Sequence, residues 1–297
     1  MAPTVAIFGA TGDLGSHITA ALVKRVQSGE LNVVVLHRQG SNVTKLNLPS
    51  SVATRVLDCD NTSVDQVRQA LAGVDVLISA AKQTPDGAKR FVETLATLAK
   101  EPASIKVYIP SYFTANWAKD ERENPANVYL HGKCMLLDHT ISLGVPTTYI
   151  ANGLFEWAFL DPAFFGVDPQ ANKLQLYGDA LNAKFSYLSL PFLAEALAQL
   201  LLEPSFGPGQ NYTFSEAEFT GHDVVEVFKK VHGTAPAISQ FTDADVQRLR
   251  DASPGAGLGA AWRMHWGNGN WKAANLFEPK GVTKRSLEQA VREAAQK

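Results

Sequence analysis

The chain has 297 residues, of which 45% are hydrophobic and 19% charged, which is typical of a globular protein with a substantial core. Its formal net charge of −2 gives no global attraction to nucleic acid or anionic lipid, so neither is expected as a partner. The two cysteines, Cys59 and Cys134, make no disulfide framework and favour a reducing compartment, with the cytosol as the default. No stretch approaches the roughly 18 apolar residues of a membrane span, and no signal peptide is expected.

The first half of the chain alternates between apolar strands and amphipathic helices. In chain order the pattern predicts strand 5–8, helix 14–26, strands 33–36 and 52–58, helix 64–71, strand 74–78, helix 90–99 and strand 105–109. A helix is then predicted from Asn124 and Pro125 to about Leu143, before Gly144, followed by strand 147–151. Continuous apolar strands separated by helices predict an α/β fold with a Rossmann-type, doubly wound parallel sheet.

The second half is richer in Gly, Pro, Trp and Phe, with one further apolar helix predicted at 192–202. Segment 253–271, SPGAGLGAAWRMHWGNGNW, is interpreted as a mobile lid, a pocket wall or an irregular packed segment. We predict a Rossmann domain at 1–155 and a smaller substrate-binding lobe at 156–297. Part of the lobe, at about 185–204, is expected to return to the Rossmann core.

A glycine-rich turn joins the first strand to the first helix. Its pattern is GxxGxxG, in which glycine permits a sharp bend and a close approach of phosphate to the backbone. The N–H groups and positive dipole end of the helix favour a pyrophosphate there. We therefore predict a dinucleotide site rather than a purely structural turn, formed by Gly9, Thr11, Gly12, Asp13, Leu14 and Gly15.

The end of the second strand indicates which nicotinamide cofactor is favoured. NAD sites often place an acidic residue there, whereas this chain has His37 and Arg38 and no acid before Asp58. A guanidinium can bind a 2′-phosphate through two hydrogen bonds and keeps its charge. Arg38 therefore favours NADP(H), the alternative being a solvated loop cation.

Four features in this order carry a family resemblance: GATGDLG (9–15), IPSYF (109–113), Lys133 on the following helix, and ANGLF (151–155) after the sixth strand. Together they resemble the NmrA-like, isoflavone-reductase-like branch of the atypical short-chain dehydrogenases. The resemblance covers most of residues 4–160, and a weaker similarity is found at 185–204. It implies a Rossmann core with a small C-terminal lobe.

The resemblance also implies a set of cofactor contacts beyond the glycine turn and Arg38. These are Ser79, Ala80, Ala81 and Gln83 near the riboses, Ser111, Tyr112 and Phe113 beside the nicotinamide, Lys133 on the nicotinamide ribose, and Asn152, Gly153 and Phe155 closing the site.

Tyr129 and Lys133 are the leading catalytic candidates, with Ser111 as a third. The pair stands four residues apart on a predicted helix, so both side chains lie on one face. A nearby ammonium makes the phenol a better proton donor, and this proton balances hydride delivery by the cofactor. The alternatives are an aromatic packed on the helix surface for Tyr129 and a solvated lysine for Lys133. Ser111 either orients a substrate carbonyl or ends the strand, and Tyr112 is a rival proton donor.

The substrate-binding candidates are Phe113, Trp157, Phe159 and His265. The aromatics follow strand ends, where α/β sheets bind ligands, and they suit an apolar substrate. The alternative is that these side chains form the core of the smaller lobe, and a lone histidine is more often structural. The Cys and His spacing shows no ligand-like pattern such as CxxC or HExxH, so no metal site is expected.

These features predict an NADPH-dependent reductase that transfers hydride to a C=O, C=C or C=N bond of a small apolar or aromatic metabolite. One alternative is a non-catalytic redox sensor that binds NADP(H) and then a protein partner. A second alternative is an isomerase or dehydratase with a regenerated cofactor. The partner expected is a small-molecule substrate, and the protein is expected to be a monomer or homodimer.

Overall fold

A computed structural model describes residues 2–60, 63–101 and 104–297. Its strands are β1 (Thr4–Phe8), β2 (Asn32–His37), β3 (Ala53–Val56), β4 (Val76–Ser79), β5 (Val107–Ile109), β6 (Tyr149–Asn152), β7 (Leu154–Phe155), β8 (Val167–Asp168), β9 (Lys173–Leu176), β10 (Phe185–Leu188), β11 (Asn211–Phe214), β12 (Ala217–Phe219) and β13 (Ala237–Gln240). Its helices are α1 (Asp13–Gln27), α2 (Val64–Ala70), α3 (Pro85–Leu98), α4 (Lys119–Glu123), α5 (Val128–Ser142), α6 (Glu156–Phe159), α7 (Leu190–Leu200), α8 (Gly221–His232), α9 (Asp243–Ala252), α10 (Pro254–Gly267) and α11 (Leu287–Ala294). None of the helices in these ranges is long and apolar enough to cross a membrane.

The largest sheet has five parallel strands in the order β3-β2-β1-β4-β5. A parallel bridge between Tyr108 and Thr147 adds the chain just before β6 beside β5. Every second residue along the strands, such as Ala6 and Phe8, belongs to an apolar core that includes Phe91 of α3. The sheet confirms the predicted Rossmann-type α/β fold.

Helix α3 begins five residues earlier than the predicted 90–99. Thr84 caps it by accepting a hydrogen bond from the Gly87 N–H at 3.1 Å, and Pro85 occupies the first helical position. The first turn is polar, so hydrophobic periodicity alone missed it. The cap and the proline were the available signals.

The predicted helix start at Asn124 and Pro125 is wrong. The Asn124 side chain instead accepts a hydrogen bond from the Ala126 N–H at 3.0 Å, which stabilises a local turn between α4 and α5. Helix α5 therefore begins at Val128. Its end agrees with the prediction, because Gly144 adopts a φ of +77° two residues after Ser142.

Segment 253–271 is mostly helix α10, so its interpretation as an irregular segment is wrong. Ser253 caps the helix, accepting a hydrogen bond from the Ala256 N–H at 3.1 Å. An added Cβ at Gly259 would lie 2.5 Å from the Phe164 carbonyl oxygen, and one at Gly267 would overlap a neighbouring backbone carbonyl. These glycines allow close backbone packing, and that tertiary contact outweighs their low helix propensity.

The chain divides into two compact units. Unit 1 runs to Phe113 and adds Cys134–Ile150 and Leu193–Tyr212. Unit 2 comprises Thr114–Lys133, Ala151–Phe192 and Thr213–Lys297. Unit 1 contains the five-stranded parallel sheet, and unit 2 contains two three-stranded sheets, β12-β10-β7 and β13-β9-β8. A cofactor role for the first part of the chain and a substrate role for the second stay predictions.

Candidate nucleotide and active site

The turn after β1 is built around glycines that leave no room for a side chain. Gly9 has a φ of +87°, and an added Cβ would lie 2.5 Å from the Ala81 N. A Cβ at Gly15 would overlap the Gly9 carbonyl oxygen. Gly12 differs, because its Cβ would meet no atom closer than 3.5 Å. The fold itself therefore requires glycine at positions 9 and 15 but leaves space beside position 12.

The N-terminus of α1 opens at this turn. Gly12 is its N-cap, and no side chain of the described residues caps the helix by a hydrogen bond. The first-turn N–H groups are consequently available to an anion, and the helix dipole favours a negative charge there. Asp13 and Gly15, which the sequence predicted as pyrophosphate contacts together with Leu14, lie in this first turn.

A cavity of about 220 Å³ lies at this turn, within unit 1. Its lining includes six of the predicted cofactor residues, which are Gly9, Thr11, Gly12, Arg38, Ala80 and Ala81. It also includes residues that the patterns did not predict as contacts, which are Phe8, Ala10, Leu36, His37, Ser41 and Lys82. Ser79 is buried at the end of β4, and the Nε2 atom of Gln83 is buried with no hydrogen-bond partner among the described residues.

Arg38 stands at the edge of this cavity and is already engaged. Its Nη2 donates to Asp60 Oδ2 at 2.6 Å and to the Lys82 carbonyl oxygen at 3.1 Å. Its Cζ lies 5.9 Å from the centre of the Phe8 ring, a cation–π distance. The side chain is 42% exposed, so the guanidinium is held in place while part of it faces solvent.

Lys45 is a second cation at the turn that sequence reasoning missed. It lies in a short 3₁₀ helix, Thr44–Leu46, and its Nζ donates to the Thr11 carbonyl oxygen at 2.6 Å. An ammonium beside the glycine turn complements a phosphate. The contact could not be predicted from a sequence motif, because it depends on the path of the chain between Thr11 and Lys45, which lie 34 residues apart in sequence.

Residues 111–113 end unit 1's first stretch. The Tyr112 side chain is buried, its hydroxyl 3.8 Å from Cys134 Sγ and its ring edge-on to Tyr149 at 5.4 Å. This packing does not support Tyr112 as a rival proton donor. Phe113 is buried with a φ of +21°, an uncommon conformation for a bulky residue that is more frequent at functional sites. Ser111 precedes them in a turn after β5.

Tyr129 and Lys133 lie together on α5, as their spacing predicts. The Lys133 Nζ is 5.7 Å from the centre of the Tyr129 ring. Tyr129 is 48% exposed, so the residue is not enclosed in the core. The two polar groups can therefore act on one ligand, while their catalytic roles stay predictions.

Asn152 ends β6, and Gly153 and Phe155 follow it within unit 2. Asn152 is buried, and its Nδ2 donates to the Gly153 carbonyl oxygen at 2.7 Å, while its Oδ1 has no partner among the described residues. An added Cβ at Gly153 would lie 2.6 Å from Ser186 Oγ, so glycine is required there. Phe155 stacks on Trp157 with ring centres 6.4 Å apart, and Trp157 is 61% exposed.

Phe159 and His265 are core residues of unit 2, and a direct substrate contact by either is not supported. Both have 0% exposure. Phe159 packs between Phe165 and Tyr187, with ring centres 5.4 and 5.7 Å away. The His265 ring lies 4.7 Å from that of Trp117. Their burial matches the alternative that these aromatics form the core of the lobe.

His265 instead belongs to a buried polar cluster around Glu121. His265 Nδ1 lies 3.0 Å from both Glu121 carboxylate oxygens, Asn270 Nδ2 donates to Oε1 at 3.0 Å, and the Ala118 N–H donates to Oε2 at 2.8 Å. Burial alone would raise the pKa of Glu121, but these hydrogen bonds outweigh it and lower that pKa below its ordinary value. The cluster links α4, which contains Glu121, to the end of α10 within unit 2.

Comparison with protein families decides the identity of the chain, because the model of the NmrA-like family matches residues 1–251. The chain is a member of the NmrA-like family. Over 188 residues it is 29% identical to a probable pinoresinol-lariciresinol reductase 3 of Arabidopsis thaliana, with 62% of this chain and 58% of that protein covered. Over 200 residues it is 25% identical to an isoflavone reductase of Medicago sativa, with 62% and 61% covered. The matches thus span about three fifths of each plant protein.

Solved structures resemble this NmrA-like protein over nearly its whole length. A crystal structure of isoflavone reductase superimposes with a TM-score of 0.80 at 20% identity, covering 99% of each chain. AtPrR2 with NADP⁺ and (+)-pinoresinol gives 0.78 at 16% identity, again covering 99% of each chain. A Citrobacter sp. triphenylmethane reductase complexed with NADP(H) gives 0.70 at 18%, covering 98% of this chain and 99% of that chain. At these identities the likeness shows the fold.

Proposed function

We propose that this NmrA-like protein is an NADPH-dependent reductase that transfers hydride to a C=O, C=C or C=N bond of a small apolar or aromatic metabolite. The observation that carries the proposal is the cavity at the uncapped N-terminus of α1, with Arg38 at its edge. The plant relatives support it, because both are named as reductases. Structures of similar fold hold NADP⁺ or NADPH, which supports the choice of cofactor.

The residues present fit a dinucleotide. Gly9 and Gly15 keep the backbone of the turn free of side chains, so a diphosphate can approach its N–H groups. Arg38 and Lys45 supply positive charge near the turn, and Arg38 is the group that would hold a 2′-phosphate. Ala80 and Ala81 line the same cavity without bulk or charge.

Reduction needs a hydride and a proton, and the chain offers a donor for the proton. When bound, the cofactor supplies the hydride. Tyr129 donates the proton to the reduced substrate, while Lys133 binds the nicotinamide ribose and stabilises the phenolate that remains. Ser111 is proposed to orient a substrate carbonyl.

The substrate class follows from the aromatic surface of unit 2. Phe155 stacks on Trp157, and Phe164 lies 6.5 Å from Trp157 between ring centres. An exposed tryptophan backed by two phenylalanines favours a flat, apolar ligand through stacking. We propose a phenolic or other aromatic metabolite, consistent with the substrates in the names of the relatives.

The test measures oxidation of NADPH with a panel of aromatic enones, ketones and imines. Substrate-dependent oxidation should fall about a hundredfold or more in Lys133→Ala and in Tyr129→Phe. Lys229→Ala is the matched control, since Lys229 pairs with Glu226 on the surface of α8, and it should keep full activity. Tyr129→Phe should bind NADPH as the parent does, which separates proton donation from cofactor binding.

The outcomes also separate the alternatives. Tight NADPH binding without oxidation by any substrate of the panel would favour a redox sensor. Product formation without net NADPH consumption would favour an isomerase or dehydratase. Arg38→Ala should weaken NADPH about tenfold or more and NADH far less, because charge-assisted hydrogen bonds to the 2′-phosphate are lost. Equal losses would remove Arg38 from that role.

A further inference from the structure

Asp60 competes directly for the guanidinium that is proposed to bind the 2′-phosphate. Arg38 Nη2 donates one hydrogen bond to Asp60 Oδ2 at 2.6 Å and one to the Lys82 carbonyl oxygen at 3.1 Å. An Nη2 group carries two N–H donors, so these two acceptors use both of them. A phosphate that is to bind Nη2 must displace Asp60 or the carbonyl.

Asp60 is itself held by further contacts and does not readily turn away. Its Oδ1 accepts a hydrogen bond from Thr84 Oγ1 at 3.0 Å, and its carbonyl oxygen accepts one from Arg90 Nη2 at 2.7 Å. Gly87 leaves room for this carboxylate, because an added Cβ there would overlap Oδ1. The Asp60 side chain is only 18% exposed, compared with 42% for Arg38. Asp60 is therefore the more buried partner of this ion pair, and its position is fixed by contacts other than Arg38.

The charges around Arg38 also oppose a phosphate. Asp58 Oδ1 lies 3.9 Å from Arg38 Nε, so two carboxylates share one guanidinium before any ligand binds. A 2′-phosphate carries up to two negative charges and must approach this pair of carboxylates to reach Arg38. The ribose hydroxyl of NADH carries no charge and meets no such repulsion.

We infer that Asp60 is a specificity-determining residue that limits the preference of this protein for NADPH over NADH. Asp60 occupies an N–H donor of Arg38 that could otherwise bind the 2′-phosphate, and its charge repels that phosphate. The parent protein therefore binds both NADPH and NADH. The inference rests on the proposed function, since it assumes that Arg38 faces the 2′ position of a dinucleotide.

Calorimetric titration of the full chain with NADPH and NADH tests this inference. In Asp60→Asn the NADPH dissociation constant should fall about three- to tenfold, because one close negative charge is removed. The NADH constant should stay within about twofold, so the ratio of the two constants shifts. Asp65→Asn is the matched control, because its side chain is 89% exposed and paired with Arg68, and both constants should be unchanged.

Thermal unfolding accompanies each titration. If Asp60→Asn is poorly folded, Asp60→Ser replaces it, because it also removes the negative charge, and the same shift in ratio is expected. An unchanged ratio, or weaker NADPH binding in a folded Asp60 variant, would overturn the inference while the cofactor site stands. If the parent binds neither dinucleotide, the proposed function fails and the inference falls with it.

Discussion

The three glycines of the turn after β1 serve the backbone in different ways. Gly9 and Gly15 have no room for a methyl group even without a ligand, because Ala81 and the Gly9 carbonyl occupy that space. Gly12 has ordinary contact distances, and its φ of −80° suits any residue. A requirement for glycine at position 12 must therefore come from what binds there.

Gly12→Ala separates folding from binding. Its cost as an N-cap is about 1 kcal/mol or less, so its Tm should stay within about 3 °C of the parent. NADPH should bind about tenfold more weakly, because the methyl group stands where the diphosphate approaches. Gly15→Ala, in contrast, should lower the Tm clearly, since its Cβ overlaps a carbonyl oxygen. Thermal unfolding and calorimetry measure both, and full NADPH affinity in Gly12→Ala would contradict the site.

The placement of single residues was predictable where a local pattern determines it. Gly9, Gly12 and Arg38 follow strand ends, and they line one cavity. Lys45 and Asp60 could not be predicted, because their partners lie 34 and 22 residues away and loop paths bring them together. Phe159 and His265 were misleading because an aromatic or histidine after a strand end suits a pocket and a core equally well.

At the scale of elements, helix α5 contains both catalytic candidates, Tyr129 and Lys133, and also a glycine that lowers its stability. Gly132 lies in the helix interior, and an added Cβ there would have no atom within 4 Å. Glycine costs a helix interior about 0.5–1 kcal/mol relative to alanine.

Gly132→Ala should therefore raise the free energy of unfolding by about 0.5–1 kcal/mol. NADPH affinity should not change. Denaturant titration measures the free energy of unfolding, and calorimetry measures NADPH affinity. A loss of stability would contradict the open space beside Gly132.

The Glu121 cluster links α4 to α10 and gives the stability of unit 2 a pH dependence. The pKa of Glu121 is lowered in the folded protein, so its stabilisation is present above about pH 4.3, the value of an unfolded glutamate. It is lost as the pH falls through the lowered folded pKa.

Glu121→Gln should cost about 2 kcal/mol at pH 7, because a buried charged acceptor is lost. The difference in Tm from the parent should shrink as the pH falls from about 4.3, the value of an unfolded glutamate, through the lowered pKa of folded Glu121, where the parent becomes protonated as well. Glu226→Gln is the control, since Glu226 is exposed and pairs with Lys229. A difference that is the same at pH 7 and in acid would exclude this role for the carboxylate.

Elements were predictable where periodicity and end signals agree. Four strands of the parallel sheet are mainly apolar runs, whereas β3 is mostly exposed, and all five were predicted with small errors at their ends. Helix α10 was missed because its glycines indicate a loop, whereas their role is close contact with the backbone of neighbouring segments. The start of α5 was missed because Asn124 stabilises a turn as readily as a helix cap.

At the scale of the whole molecule, the parallel sheet order and the family match agree with the fold predicted from the first half of the sequence. The second half could not be derived in the same way. Its sheets have strands of two to four residues, too short for a reliable alternation.

Cofactor binding should stabilise the folded chain as a whole. At a concentration of NADPH one hundred times its dissociation constant, linkage adds about 2.7 kcal/mol. For a chain of this size that raises the Tm by about 4 °C. Differential scanning fluorimetry measures the shift, and Arg38→Ala should reduce it at the same NADPH concentration. An equal shift in Arg38→Ala would contradict a 2′-phosphate contact.

The most direct test of the central claim is a crystal structure of the protein grown with saturating NADPH. We expect the diphosphate against the N–H groups at Gly9–Gly15 and the 2′-phosphate in contact with Arg38. Density for the nucleotide elsewhere, or an empty turn in crystals that contain excess NADPH, would contradict the account.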